Sequence, residues 1–280
     1  MRPVLAYVAP FLFVVASSLA QTAPAGTSSQ PGQKAALALD GIAHAALRAG
    51  DLKASLEFYQ KLGLERSFDF SDAQGVTVYY MKLNDRQFIE LYRRNSAEEP
   101  TGLMHLCFDT SAIDALFAAY AARGLTPPEP RKARAGNLLF NLRGPEGQTL
   151  EYTQYMPGSL HSNDRGKHLG EPRISDHMIR AAIAVKDMEA ARAFYTGKLG
   201  FTERAGSSPV LLATPGNSGE EVELDPAAAG WKPRLTFAVP EVRRAEEELR
   251  KRGIAPAPGG PSSVIATDPD GTALVFTVAR

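Results

Sequence analysis

The chain has 280 residues, with 31 Lys and Arg balanced by 31 Asp and Glu, 44% hydrophobic residues and one cysteine. That length allows a sizeable core and favours two domains. The even charge gives no electrostatic reason to expect nucleic acid or an anionic lipid surface as partner, and one cysteine excludes both an internal disulfide framework and an all-cysteine zinc or iron–sulfur site within one chain.

The chain opens with Arg2 and a nearly unbroken apolar run over residues 4–15 that contains Pro10. Ser18-Leu19-Ala20 then sets small residues at the two positions a signal peptidase reads, so residues 1–20 are expected to be a signal peptide cleaved before Gln21. The run is short for a membrane span, and no nearby cysteine could accept a lipid. The mature chain is therefore expected to lack a stable span and to be periplasmic or secreted. Residues 21–37, rich at first in Ser, Thr, Pro, Gly and Gln, read as a flexible leader.

The rest is repetitive. A strand-like run at residues 42–47 precedes Asp51-Leu-Lys-Ala-Ser-Leu-Glu-Phe-Tyr-Gln-Lys-Leu-Gly-Leu64, in which an acidic cap opens a helix and glycine closes it. Partly alternating segments at 75–83 and 86–93 read as strands. The second copy begins with a strand at 104–108 and a helix from Ser111 to Gly124. The third has a strand at 179–185 and Asp187-Met-Glu-Ala-Ala-Arg-Ala-Phe-Tyr-Thr-Gly-Lys-Leu-Gly-Phe201, and the fourth a strand at 235–239 and a helix from Glu241 to Gly253. The endings of the second and fourth also match, Gly144-Pro-Glu-Gly-Gln-Thr-Leu-Glu-Tyr-Thr153 against Asp268-Pro-Asp-Gly-Thr-Ala-Leu-Val-Phe-Thr277. The pattern predicts four βαβββ units, paired into domains at 38–156 and 176–280, with a polar, turn-rich linker or lid at 157–175. The pairs Phe58-Tyr59 and Phe194-Tyr195 are expected to pack in the core, and Trp231 to be a buried or strand-edge aromatic.

Chemistry concentrates in the first two units. His44 and Glu90 lie in the first and last strands of unit one, His105 and Glu151 in those of unit two, with 46 residues between His and Glu in both. Each stands in an otherwise apolar strand, where an unpaired imidazole or carboxylate would be costly to bury. Two repeated His/Glu pairs facing one concave sheet would make a nitrogen–oxygen site for one divalent ion, suited to Zn, Ni, Fe, Mn or Co. Cys107, two residues beyond His105, shares its face and reads as a small core side chain. His161 and His168 read as solvated loop residues, and Arg131, Lys132 and Arg134 as a solvated basic cluster in which a clamp for an acid group is the alternative.

With its helix signature Asp-Leu…Phe-Tyr…Leu-Gly-Leu and these His and Glu positions, the chain resembles the vicinal oxygen chelate superfamily of glyoxalase I, extradiol dioxygenases and bleomycin- and fosfomycin-resistance proteins. The resemblance covers nearly all of residues 38–280. It implies an α+β fold of four βαβββ units paired into two glyoxalase-like domains with cupped mixed β-sheets, the metal in a cup chelating two neighbouring oxygens of a small-molecule substrate. It assigns His44, Glu90, His105 and Glu151 as metal ligands and Glu151 as the proton-transferring base of a glyoxalase I-like isomerase or lyase. One alternative is an extradiol-type dioxygenase holding Fe(II) with His44, His105 and Glu151, although Asn141 stands where that subgroup has a tyrosine. Another is a non-catalytic binding protein for a small ligand. The second domain departs from the pattern, with Arg180 and Arg234 at the histidine positions, Glu223 retained and Val275 in place of the second acid, so it is expected to be metal-free. A homodimer is left open.

Overall fold

The computed structural model describes residues 37–170 and 172–279. The expected signal peptide and all but the last residue of the expected leader lie outside the described residues. That last residue, Leu37, is not leader-like: it is buried with Leu39 in the core.

Unit one comprises β1 (Gly41–Ala49), α1 (Leu52–Lys61), β2 (Glu65–Asp72), β3 (Gly75–Lys82) and β4 (Phe88–Arg93). Unit two comprises β5 (Gly102–Asp109), α2 (Ile113–Ala122), β6 (Arg131–Lys132), β7 (Leu138–Arg143) and β8 (Thr149–Gln154). A short helix α3 (Leu160–Asn163) follows. The third unit runs through β9 (Met178–Val185), α4 (Met188–Arg192), a π-helical turn (Ala193–Lys198), β10 (Thr202–Glu203), β11 (Val210–Ala213) and β12 (Glu221–Pro226). The fourth is β13 (Arg234–Ala238), α5 (Val242–Lys251), β14 (Ala257–Pro258), β15 (Ser263–Thr267) and β16 (Ala273–Thr277).

Each pair of units builds one eight-stranded mixed sheet. The first has the order β2-β3-β4-β1-β5-β8-β7-β6 and the second β10-β11-β12-β9-β13-β16-β15-β14. In the first, β1 and β5 are antiparallel at the centre, β1 lies parallel to β4 and β5 parallel to β8. The strands carrying the four candidate ligands are thus the four innermost.

Local chemistry explains the helices. Asp51 accepts hydrogen bonds from the amides of Lys53 and Ala54, and Asp187 accepts one from that of Ala190, satisfying amides without intrahelical partners. Gly63 and Gly200 end the two segments at φ +91° and +82°, a region that favours glycine. The third-unit copy is one residue longer, and the extra residue is taken up by widening the last turns to a π-helix, which keeps both tyrosines, Tyr59 and Tyr195, fully buried.

Side chains alternate across the first sheet. Ala45, Leu47, Ile89, Leu91, Leu106, Phe108, Leu150 and Tyr152 join the core with Tyr59, Leu116 and Tyr120 of the helices. The alternate positions are left for the opposite, cupped face. The two halves also bind each other reciprocally. In the matching turns 144–147 and 268–271, Glu146 accepts from the amides of Lys186 and Asp187 at the start of α4, and Asp270 from the amide of Gly50 just before α1.

Within the expected linker or lid, residues 159–166 are tied to the first domain. Ser159 caps α3 by accepting from Ser162, and Lys82, fully buried in β3, donates to the Asp164 carbonyl and ion-pairs with the carboxylates of Asp164 and Asp85 at 2.9 Å each. His161 of this segment lines the cavity of the first cup.

Candidate metal centre

Strand register places the four candidate ligands. Glu90 stands opposite Ala46 of β1, and Ala46 opposite His105 of β5, so Glu90 and His105 lie in one row across the sheet. His44, Cys107 and Glu151 form the adjacent row, since His44 pairs with Cys107 and Cys107 with Glu151. The rows are two residues apart on β1, so all five side chains face the same way.

They converge. Nε2 of His44 lies 3.0 Å from Nε2 of His105, its Nδ1 lies 3.3 Å from a Glu90 oxygen, and its Nε2 lies 3.5 Å from a Glu151 oxygen. The donor atoms of His44, Glu90 and His105 fall within 4.8 Å of one another, as do those of His44, Cys107 and Glu151. The Tyr92 hydroxyl donates to Glu90 at 2.9 Å, and the Asn141 amide, oriented to satisfy its neighbours, donates to Glu151 at 3.2 Å and to the Phe140 carbonyl. These contacts orient the carboxylates from behind, as outer partners orient metal ligands.

Burial sets the charge state. It holds His105 down at about 4 and His44 well below the ordinary histidine value, the latter also through the neighbouring His105 and His161, so both imidazoles are neutral at pH 7. Burial raises Glu151 to about 7 and lifts Glu90 well above the carboxylate range, Glu90 also feeling the Glu151 charge. Neutral imidazoles and buried carboxyls whose ionised forms burial disfavours are what a divalent ion would complement. Within the described residues, moreover, Nδ1 of buried His44 has no hydrogen-bond partner. The donor set, two nitrogens and two carboxylates, therefore fits a borderline or hard divalent cation.

Around these residues lies a cavity of about 300 Å³ whose lining includes His44, Glu90, Glu151, Tyr80, Arg131 and His161. His161 corrects an expectation. It is buried rather than solvated, its Nδ1 lies 2.9 Å from the Asn137 amide nitrogen, and it stacks on Tyr155 with ring centroids 4.6 Å apart. The readable signal was Ser159, a helix cap two residues earlier. His168 is partly exposed and bound to Asp164. Cys107 is fully buried and is a neighbour of the centre, not only core filling. Trp231 is half-buried, its indole donating to Asp225 at 3.0 Å.

The second cup is built differently. Register confirms that Arg180 occupies the place of His44, Arg234 that of His105 and Val275 that of Glu151, because Thr236 pairs with Arg180 on one side and with Val275 on the other. Arg180 binds Glu221 at 2.7 Å, Arg234 binds Glu223 and Asp225, and Arg204 binds Glu221. Three arginines there answer three carboxylates.

The model of the Glyoxalase/Bleomycin resistance protein/Dioxygenase superfamily matches residues 41–152 and 176–276, and the chain belongs to that superfamily. Its four-unit fold is shared with the 2,3-dioxygenase LapB from Pseudomonas sp. KL28 at TM-score 0.66 and 17% identity, covering 86% of this chain and 93% of that one. It is shared likewise with the Mn(II)-bound glyoxalase from Novosphingobium aromaticivorans at TM-score 0.65 and 17% identity, covering 86% and 82%. A catechol 2,3-dioxygenase gives TM-score 0.65 at 15% identity over 87% and 94%. No curated protein matches the sequence. No helix among the described residues is long and apolar enough to cross a membrane.

Proposed function

We propose that the chain is a glyoxalase I-like isomerase or lyase acting on a small substrate with two neighbouring oxygens, with one divalent ion held by His44, Glu90, His105 and Glu151. The observation that carries this reading is the inward turn of Glu90, 3.3 Å from His44 and held by Tyr92. A triad of His44, His105 and Glu151 would leave that buried carboxylate without a purpose, whereas a four-ligand centre uses it. When bound, the ion would supply Lewis-acid stabilisation of the charge that develops on the substrate oxygens.

The protein's own part is proton handling. Burial raises the Glu151 carboxyl to about 7 in the metal-free cup, so when it is released from the ion it can accept and return a proton near neutral pH. The Asn141 amide orients it, and buried His161 lines the same cavity. Glu90 is the alternative base. The dioxygenase reading keeps support from the fold likeness to ring-cleaving enzymes, against which stand Glu90 and the amide of Asn141 beside Glu151.

Apoprotein reconstituted separately with Zn, Ni, Mn or Fe distinguishes the two. The expected result is isomerisation of an α-ketoaldehyde–thiol adduct or a comparable α-hydroxycarbonyl, without oxygen uptake on catechols. Glu151→Gln is expected to lower kcat by roughly 10²- to 10⁴-fold. Catechol-dependent oxygen uptake by the iron form alone would decide for the dioxygenase.

We further propose that the enzyme works outside the cytoplasm, on the strength of the N-terminal apolar run and its Ser18-Leu19-Ala20 ending. N-terminal sequencing of the protein from a periplasmic or culture fraction is expected to begin at Gln21. An intact Met1 terminus on cytoplasmic protein would contradict it.

A further inference from the structure

Two cations line the cavity of the candidate centre, and they differ in how they are engaged. Arg134 is committed: its guanidinium lies over the Phe70 ring, 4.3 Å from the centroid, and donates to the Ser71 carbonyl at 3.3 Å. Arg131, on the edge strand β6 opposite Leu139, makes no side-chain hydrogen bond or ion pair among the described residues, yet it lines the same cavity as His44 and Glu151. Phe70, Val78, Tyr80 and Leu139 supply apolar wall to the same cavity.

Charge makes this arrangement informative. Glu90 and Glu151, ionised around a divalent ion, balance it, and the remaining charge of the cavity lining is that of the two arginines. A cavity with apolar walls and a net positive lining concentrates anions. An unengaged guanidinium presents a planar fork that matches a carboxylate with two parallel hydrogen bonds. The cavity, about 300 Å³, is at the small end of ligand sites, so the body between the chelating oxygens and the anion is short.

We propose that the substrate of this centre is a small acid, a vicinal-oxygen compound with a compact apolar body whose far end carries a carboxylate bound by Arg131. The assignment rests on the reading of the cup as a metal centre, which the zinc measurement below tests separately. Arg131 is then the residue that selects acids over neutral analogues.

Two chelating probes of the same size test it in the zinc-loaded full chain, 4-carbamoylbenzohydroxamate and 4-carboxybenzohydroxamate, with affinities measured by calorimetry. Wild-type protein is expected to bind the carboxylated probe about three- to tenfold more tightly, as a bidentate pair at an exposed guanidinium allows. Arg131→Ala is expected to bring the ratio to about one at wild-type zinc content, and Arg131→Lys to keep part of the preference. Equal binding of the two probes by zinc-loaded wild type, or a preference that survives in Arg131→Ala, overturns the proposal alone. A chain that takes up no zinc overturns the metal reading, and this inference with it.

Discussion

Burial fixes the protonation of each donor before any cation arrives. At pH 6 His105, at about 4, is neutral and Glu151, at about 7, holds its proton, while burial pushes His44 down and Glu90 up from their ordinary values. Uptake of a divalent ion at pH 6 is therefore expected to displace at least the Glu151 proton. Affinity should rise as pH is raised through about 7. Calorimetry in two buffers of different ionisation enthalpy measures the number, and Glu151→Gln should release about one proton fewer. The linkage to stability has the opposite sign: the unfolded chain loses the Glu151 proton near the ordinary glutamate value and the folded chain near 7. Between those values Glu151 lowers the stability of the metal-free protein as pH rises.

The four positions were legible in the sequence because duplication marks them. A lone histidine in an apolar strand says little, but His44 and His105 with an acid 46 residues on do so twice. His161 and Arg131 were not legible as cavity residues, since neither repeats and their places depend on how the segment after β8 and the edge strand β6 fold back over the cup. The role of Cys107 beside the centre depended on strand register, which period-two alternation gives only within one strand.

At the level of elements, tolerance and intolerance have separate causes. The extra residue in the third-unit helix is absorbed by a π-helical turn, because Gly197 lies at the helix end and Tyr195 keeps its buried position. The element boundaries read from capping residues and glycines fell close to the observed ones, as Asp51 and Asp187 illustrate. The contacts of the segment read as a linker or lid were not legible in its polar composition, because the side chains that bind it, Lys82 and Asp85, lie far upstream in β3 and the turn after it. Lys82 has no exposed surface, so removing its charge strands the Asp164 carboxylate against the fold. Lys82→Met is expected to cost about 3 kcal/mol in chemical denaturation and to expose the segment to proteolysis. The double variant Lys82→Met/Asp164→Leu should recover much of the loss. A single variant as stable as wild type would show that the buried pair does not hold the lid.

Across the whole molecule, duplication was followed by divergence of one cup. The turns at 144–147 and 268–271 still dock on the opposite half in the same manner, so the architecture remains symmetric where it joins. The symmetry breaks in the cups. Arg180, Arg204 and Arg234 pair with Glu221, Glu223 and Asp225, an arrangement that satisfies the second cup with protein charges alone. Arginine stays protonated and cannot ligate a cation through its nitrogens, so one metal ion per chain is the expected content.

The divalent-metal content of the purified full chain, measured by elemental analysis after supplementation and beside a His44→Ala/His105→Ala variant, tests the centre most directly. The account predicts about one ion per wild-type chain and almost none in the variant. Equally little metal in both, or equal amounts in both, would contradict it.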